Sequence, residues 1–203
     1  MSTESFDGDS IGPRLDLANL TIPAHVGKYL ATLHGDDGRI DTGAEWVEAI
    51  RAANERTQDD LPTEADLCYV DDGDHSVDID GETASFVCVL DPLAVPFLRD
   101  EPGIIRSKTP EDGDSITIDV ESDGVTADAE DAVVSLGVSR DAGGDGPPRQ
   151  EDIYTETCPY IHVFASVDEY ERWAGKTDAA TTSLPVETGV AIARELAREL
   201  FDE

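Results

Sequence analysis

Ser85-Phe86-Val87-Cys88-Val89-Leu90-Asp91-Pro92-Leu93-Ala94-Val95-Pro96-Phe97 is an apolar run that carries one thiol and one carboxylate three residues apart. Its first half, Ser85 to Leu90, reads as a buried strand, because β-branched and aromatic side chains crowd both sides of Cys88. Asp91-Pro92 then reads as the N-cap and first residue of a helix: aspartate accepts from the free amides of a helix start, and proline lacks only an N–H that would have no partner there. This places Cys88 and Asp91 together at the carboxyl end of a strand. A second thiol, Cys158, precedes Tyr160-Ile161-His162-Val163-Phe164-Ala165-Ser166, another strand-like run, so that two thiols and an acid can converge on one pocket.

Downstream of this centre, Ile116, Ile118 and Val120 alternate with polar residues, and Ala132 to Val138 gives a further strand; the two are expected to pair antiparallel. Upstream, Leu61 to Glu82 is turn-rich. Within it Val77 and Ile79 alternate with acids as an edge strand, and His75, in an Asp-rich turn, reads as a surface histidine. Two helices come before. Thr21 is expected to cap one that starts near Pro23 and buries Val26, Tyr29, Leu30 and Leu33, with Gly35 to Gly38 ending it. Thr42-Gly43-Ala44-Glu45 is a capping box for the next, whose stripe is Trp46, Ile50 and Ala53. Asp141 to Gln150 reads as a loop, and Ser166-Val167-Asp168-Glu169 as a second capping box. The last helix starts near Pro185 with Val186, Val190, Ala193, Leu196, Ala197 and Leu200 facing the core. No regular βαβ rhythm is present, so the expected fold class is α+β, with a mixed or antiparallel sheet core flanked by helices. Residues 1–18 are expected to be a flexible N-terminus, 19–66 a small helical unit and 67–203 the core.

Forty-six acidic against fourteen basic residues give a formal net charge of −32. The acid is spread along the whole chain and hydrophobic residues still make up 39% of it, so the pattern is that of a folded protein with an acidic surface, as in a high-salt cytoplasm. Such a surface repels nucleic acid and anionic membranes and excludes both as partners. No signal peptide or membrane span is visible, and three cysteines form no disulfide framework; a cytoplasmic protein with free thiols is expected.

Phe86-Val87-Cys88-Val89-Leu90-Asp91-Pro92-Leu93 resembles the Trp-Cys-Ala-Leu-Asp-Thr-Leu motif of the organomercurial (alkylmercury) lyases, and Thr157-Cys158-Pro159-Tyr160-Ile161-His162-Val163-Phe164-Ala165-Ser166 resembles the second block of that family, Cys-Cys-His-Val-His-Phe-Phe-Ala-Ser. The resemblance runs from roughly residue 77 to 201. It implies that Cys88 and Cys158 are the catalytic cysteines and Asp91 the catalytic aspartate, that free thiols are needed and no cofactor, and that the N-terminal helices form a winged-helix-like unit. A plain helical cap on the core is the alternative for those helices. The implied reaction is protonolysis of a carbon–mercury bond, giving a hydrocarbon and Hg(II) that Cys88 and Cys158 hold until low-molecular-weight thiols or a mercuric reductase take it. Val87 stands where the family has tryptophan, and near Thr109 a further family cysteine is missing. Cys68 lies outside both blocks, in a polar segment, and is expected to be dispensable for cleavage.

Other readings use the same residues. Cysteine is often a small buried hydrophobe, and Asp91 is equally explained as a plain helix cap. Zinc could take Cys88, Cys158, His162 and either Cys68 or Asp91, although no Cys-x-x-Cys pair is present; His162 is otherwise a hydrogen-bonded core histidine. A non-catalytic protein that binds or carries a soft ion (mercury, copper or zinc) is the rival to the enzyme. Gly-x-Ser-x-Gly and phosphate-loop signatures are absent.

Overall fold

The computed structural model describes residues 11–57, 62–122, 124–143 and 149–201. Helices α1 (Ala24–Leu33) and α2 (Gly43–Thr57) form where the apolar spacing puts them. The capping box of α2 is made: Glu45 N–H donates to Thr42 Oγ1 at 3.2 Å, while the Glu45 carboxylate accepts from the amides of Asp41 and Thr42 at 2.6 and 3.2 Å. Thr21 caps nothing. It bridges Thr42 in an isolated antiparallel pair, and α1 starts after Pro23 with no side-chain cap. Of the stretch expected to be flexible, residues 1–10 lie outside the described residues, as do 144–148 of the expected loop, whereas Ile11 is fully buried.

Six strands, β1 (Tyr69–Val70), β2 (His75–Ile79), β3 (Glu82–Phe86), β4 (Gly103–Lys108), β5 (Ser115–Glu121) and β6 (Gly124–Ala127), make an antiparallel sheet in the order β1-β3-β2-β4-β5-β6. Three more, β7 (Val133–Ser139), β8 (Val163–Phe164) and β9 (Ala179–Pro185), make a second antiparallel sheet, ordered β8-β7-β9. β2 is therefore internal rather than an edge, and His75 is buried with Val77 and Ile79 on its inward face. β5 and β7 do not pair. β5 alternates buried and less buried residues and takes β4 and β6 as neighbours, whereas β7 is buried along nearly its whole length and takes β8 and β9. Strands so different in exposure belong in different sheets.

Helix α3 (Leu90–Arg99) follows β3 after three residues, α4 (Gln150–Glu156) leads into a 3-10 turn at Cys158–Tyr160, α5 (Val167–Ala174) follows β8, and α6 (Val186–Leu200) is the last helix. Half of the Ser166 capping box is made: Glu169 N–H donates to Ser166 Oγ, while the Glu169 carboxylate accepts from Ala165 N–H, one residue ahead of the cap. α6 lies between two apolar cores. Val190, Ala193 and Ala197 pack with the six-stranded sheet and α3, and Ile192 packs with α1, α2, β7 and β9. Each such aliphatic side chain contributes about 1.5–3 kcal/mol when fully buried, less for alanine. Gly189 lets α6 approach β7 closely, since a Cβ there would meet Val134 Cγ2 at 2.7 Å. Arg194, 1% exposed, satisfies its guanidinium in part through Ile11 O at 3.1 Å and Glu195 Oε1 at 2.8 Å. Among the described residues no helix is long and apolar enough to cross a membrane.

Candidate active site

The apolar run that opens the core is not one strand. β3 stops at Phe86, which pairs with Tyr69 on one side and His75 on the other, and the chain then bends through Val87 to Val89 into α3. Two amides carry the bend: Val87 N–H donates to Cys68 O at 3.2 Å and Val89 N–H to Ile161 O at 3.4 Å. Val89, in helical geometry, holds the N-cap position and offers no side chain to it. Asp91 is therefore not the cap. It sits in the first turn of α3 and its Oδ2 accepts the Cys68 backbone N–H at 2.9 Å, across 23 residues of sequence.

Cys158 arrives from the opposite side on its 3-10 turn. Thr157 Oγ1 closes the end of α4 by donating to Ile153 O at 2.7 Å, and Pro159 fits the second position of so tight a turn. Beneath it runs β7. Ser135 Oγ donates to Tyr160 O and accepts from His162 N–H, both at 2.9 Å, and Gly137 leaves room for the turn, because a Cβ there would meet Tyr160 Cβ at 2.6 Å and Tyr160 O at 2.8 Å.

The segments meet so that Cys88 and Cys158, 3% and 4% exposed, line one cavity together with Asp91. Cys68 joins them. Its Sγ lies 3.9 Å from Cys158 Sγ and its backbone N–H holds Asp91, so the segment expected to be a polar turn carries a third thiol into the site. All three cysteines are free. Cys68 is set there by the buried Leu67 before it and by the pairing of Tyr69-Val70 with Ser85-Phe86.

Burial above all pushes the Asp91 carboxyl up to about 6, against the pull of the Cys68 amide and the Cys68 and Cys88 thiols. The hydrogen bond with Cys158 draws the Cys88 thiol down, but burial and the neighbouring Asp91 carboxylate outweigh it and leave Cys88 raised. Cys158 is pushed up as well, by its bonds to Cys68 and Cys88 and then by burial. At rest these are thiols beside an acid that can exchange a proton near neutrality.

The thiols and Asp91 open on a cavity of about 200 Å³ whose wall is largely apolar, with Trp46 and Ile50 of α2, Leu90 and Ala94 of α3, and Leu196 and Leu200 of α6. Val87 is not on that wall, so the departure from tryptophan there does not line the cavity. His34 is on it, 6% exposed, with Nδ1 unpartnered; burial, then Arg56, push its pKa down to about 4 and keep it neutral. Thr109 is buried at 3% exposure. His162 turns away from the thiols: Nε2 bonds Pro159 O at 2.7 Å, Nδ1 lies 3.4 Å from His75 Nε2, and its ring meets Trp173 edge-on. Among the described residues no three His, Cys, Asp or Glu side chains are set around a point as a metal site. What the arrangement offers is two buried soft ligands, a proton-exchanging acid and an apolar chamber beside them.

A sequence model of the alkylmercury lyase family matches residues 71–198. An alkylmercury lyase of Streptomyces lividans is 29% identical over 172 residues, which is 76% of each chain. Among solved structures, the mercury-bound form of MerB2 superposes with a TM-score of 0.51 at 17% identity, covering 84% of this chain and 81% of that one, which establishes likeness of fold.

Proposed function

From the premise that this chain belongs to the alkylmercury lyase family, we propose that it breaks the carbon–mercury bond of organomercurials by protonolysis, with Cys88 and Cys158 as the sulfur ligands and Asp91 as the group that moves the proton. The observation that carries this reading is the buried Asp91 carboxylate lying against the thiols at one end of an apolar cavity. Mercury is soft and thiolates are its favoured protein ligands. One thiol displaces the counter-ligand of R–Hg–X, its proton leaving with X. The second thiol passes its proton to Asp91 as its sulfur bonds the metal. Two thiolates then load charge onto the Hg–C bond, and Asp91 returns the proton to carbon, releasing R–H and leaving Hg(II) on two sulfurs. A carboxyl with a pKa of about 6 is suited to both transfers.

The apolar wall receives R, and free thiols replace any cofactor. Small thiols or a mercuric reductase take the ion away, and a reducing cytoplasm is the compartment that keeps three cysteines as thiols. The test is to incubate reduced protein with a simple alkylmercury compound and excess thiol and to measure the hydrocarbon, using unmutated and Asp91→Asn protein. The asparagine side chain of the variant keeps a carbonyl oxygen for the Cys68 amide, so fold and Hg(II) binding should persist while release falls by about 10²–10⁴-fold. Undiminished release from the variant would take Asp91 out of the mechanism; none from the unmutated protein would leave a soft-metal carrier.

A further inference from the structure

Cys68 has no part in the steps above, yet it stands inside their site. Its sulfur is 3.9 Å from that of Cys158, and metal–thiolate bonds of about 2.3 Å or more let one ion touch both. Its backbone N–H holds Asp91, so its position is tied to the acid of the site. It also differs from the other two thiols in access. Cys88 and Cys158 are 3% and 4% exposed, whereas Cys68 is only half-buried, on the two-residue edge strand side of the cavity. An ion held by two buried sulfurs presents little to a thiol arriving from solvent.

We propose that Cys68 is the exit thiol of this site: it takes Hg(II) from the buried Cys88 and Cys158 and presents it to small thiols outside. The inference rests on mercury being the ion that the site handles. The exchange balances without any redox change. As the Cys68 sulfur bonds the metal it gives up its proton, the Hg–S bond to Cys88 breaks, and the Cys88 sulfur takes up a proton; the ion keeps two thiolates, now those of Cys68 and Cys158. A solvent thiol then repeats the exchange at the half-exposed sulfur.

The experiment uses the full chain loaded with one equivalent of mercuric chloride, with no organomercurial, and follows loss of the mercury–thiolate ultraviolet absorption on mixing with a monothiol such as 2-mercaptoethanol. In the unmutated protein the release rate should saturate as the monothiol is raised, because the internal transfer becomes limiting. In Cys68→Ser, which keeps the backbone N–H on Asp91, release should be at least tenfold slower and rise linearly without saturating, with Hg(II) still bound. Cys68→Ala should match it, which separates the thiol from its packing. Equal release rates in the unmutated and serine proteins would overturn the proposal, and so would loss of Hg(II) binding in a folded Cys68→Ser, since Cys68 would then be a holding ligand. Because the ion is added directly, a failure of hydrocarbon release would remove the lyase reading and leave this result standing.

Discussion

His75 is 1% exposed, with Nδ1 2.7 Å from Ser107 Oγ and its ring 5.5 Å from that of His162. Burial, then His162, push its pKa down to about 3. The folded state therefore resists the proton that the unfolded chain accepts near 6.5, so the contribution is intact above that pH and is lost as pH falls toward about 3. Between pH 7 and 5 this group should cost about 2 kcal/mol of unfolding free energy. Urea titrations at both values should show a shallower pH dependence in His75→Gln than in the unmutated protein, and parallel slopes would show that His75 carries no such linkage. Four flanking residues, Asp71-Asp72-Gly73-Asp74, make this histidine look exposed, but the period-two alternation of Val77 and Ile79, extended one step, puts it on the buried face. Asp91 was harder to read, because its partner is an amide 23 residues away and no local pattern shows such a bond. That Cys88, Asp91 and Cys158 can meet was legible from the apolar runs beside them, and the family resemblance added the roles it implies; Cys68 belonged to neither motif.

The 3-10 turn at Cys158–Tyr160 lies on β7, and Gly137 sets how closely. Gly137→Ala would drive a methyl into Tyr160 Cβ at 2.6 Å and Tyr160 O at 2.8 Å, contacts with rigid parts of the turn. The variant should lose about 1–3 kcal/mol of stability and shift Cys158 away from Cys88, weakening Hg(II) binding. Thermal melts and a competition titration against a small dithiol check both, and an unchanged mercury affinity would show that the turn absorbs the methyl elsewhere. Elements were legible where one face was wet: β5, α2 and α6 follow from alternation or stripes. Continuous apolar runs misled. Ser85 to Leu90 has the composition of a strand, but its ladder ends at Phe86 because β1 is two residues long, and the Tyr160 to Ser166 run contracts to Val163–Phe164 after the turn. β4, β6 and β9 are not among the strands that the pattern yields, since pairing partners chosen in three dimensions decide them.

Across the whole molecule the formal charge is −32, and among the described residues pairs such as Arg39–Asp41, Arg51–Glu199, Lys108–Asp74 and Arg172–Asp112 lie at the surface. Repulsion between exposed carboxylates is screened over about 10 Å at 0.1 M salt and about 3 Å at 1 M, so stability should climb from tens of millimolar to molar salt. Unfolding midpoints that stay level over that range would show that the acid is spaced widely enough not to matter. The α+β class and its antiparallel sheets lay in the mixed periodicities of the chain; the division of strands between two sheets did not, because only relative burial separates them. Cys88 and Cys158 lie inside the main core, whereas Cys68, just ahead of β1, packs against its edge, where the neighbourhood is further tied by the two ladder residues of β1, the Glu64–Arg99 ion pair and the Tyr69 hydroxyl on Glu64. Exposed ties of that kind are worth about 1 kcal/mol or less each. The site is thus a vice with unequal jaws: two sulfurs are clamped on every side by the core, and the third leans on that core from its rim, held by its own two backbone bonds to Asp91 and Val87.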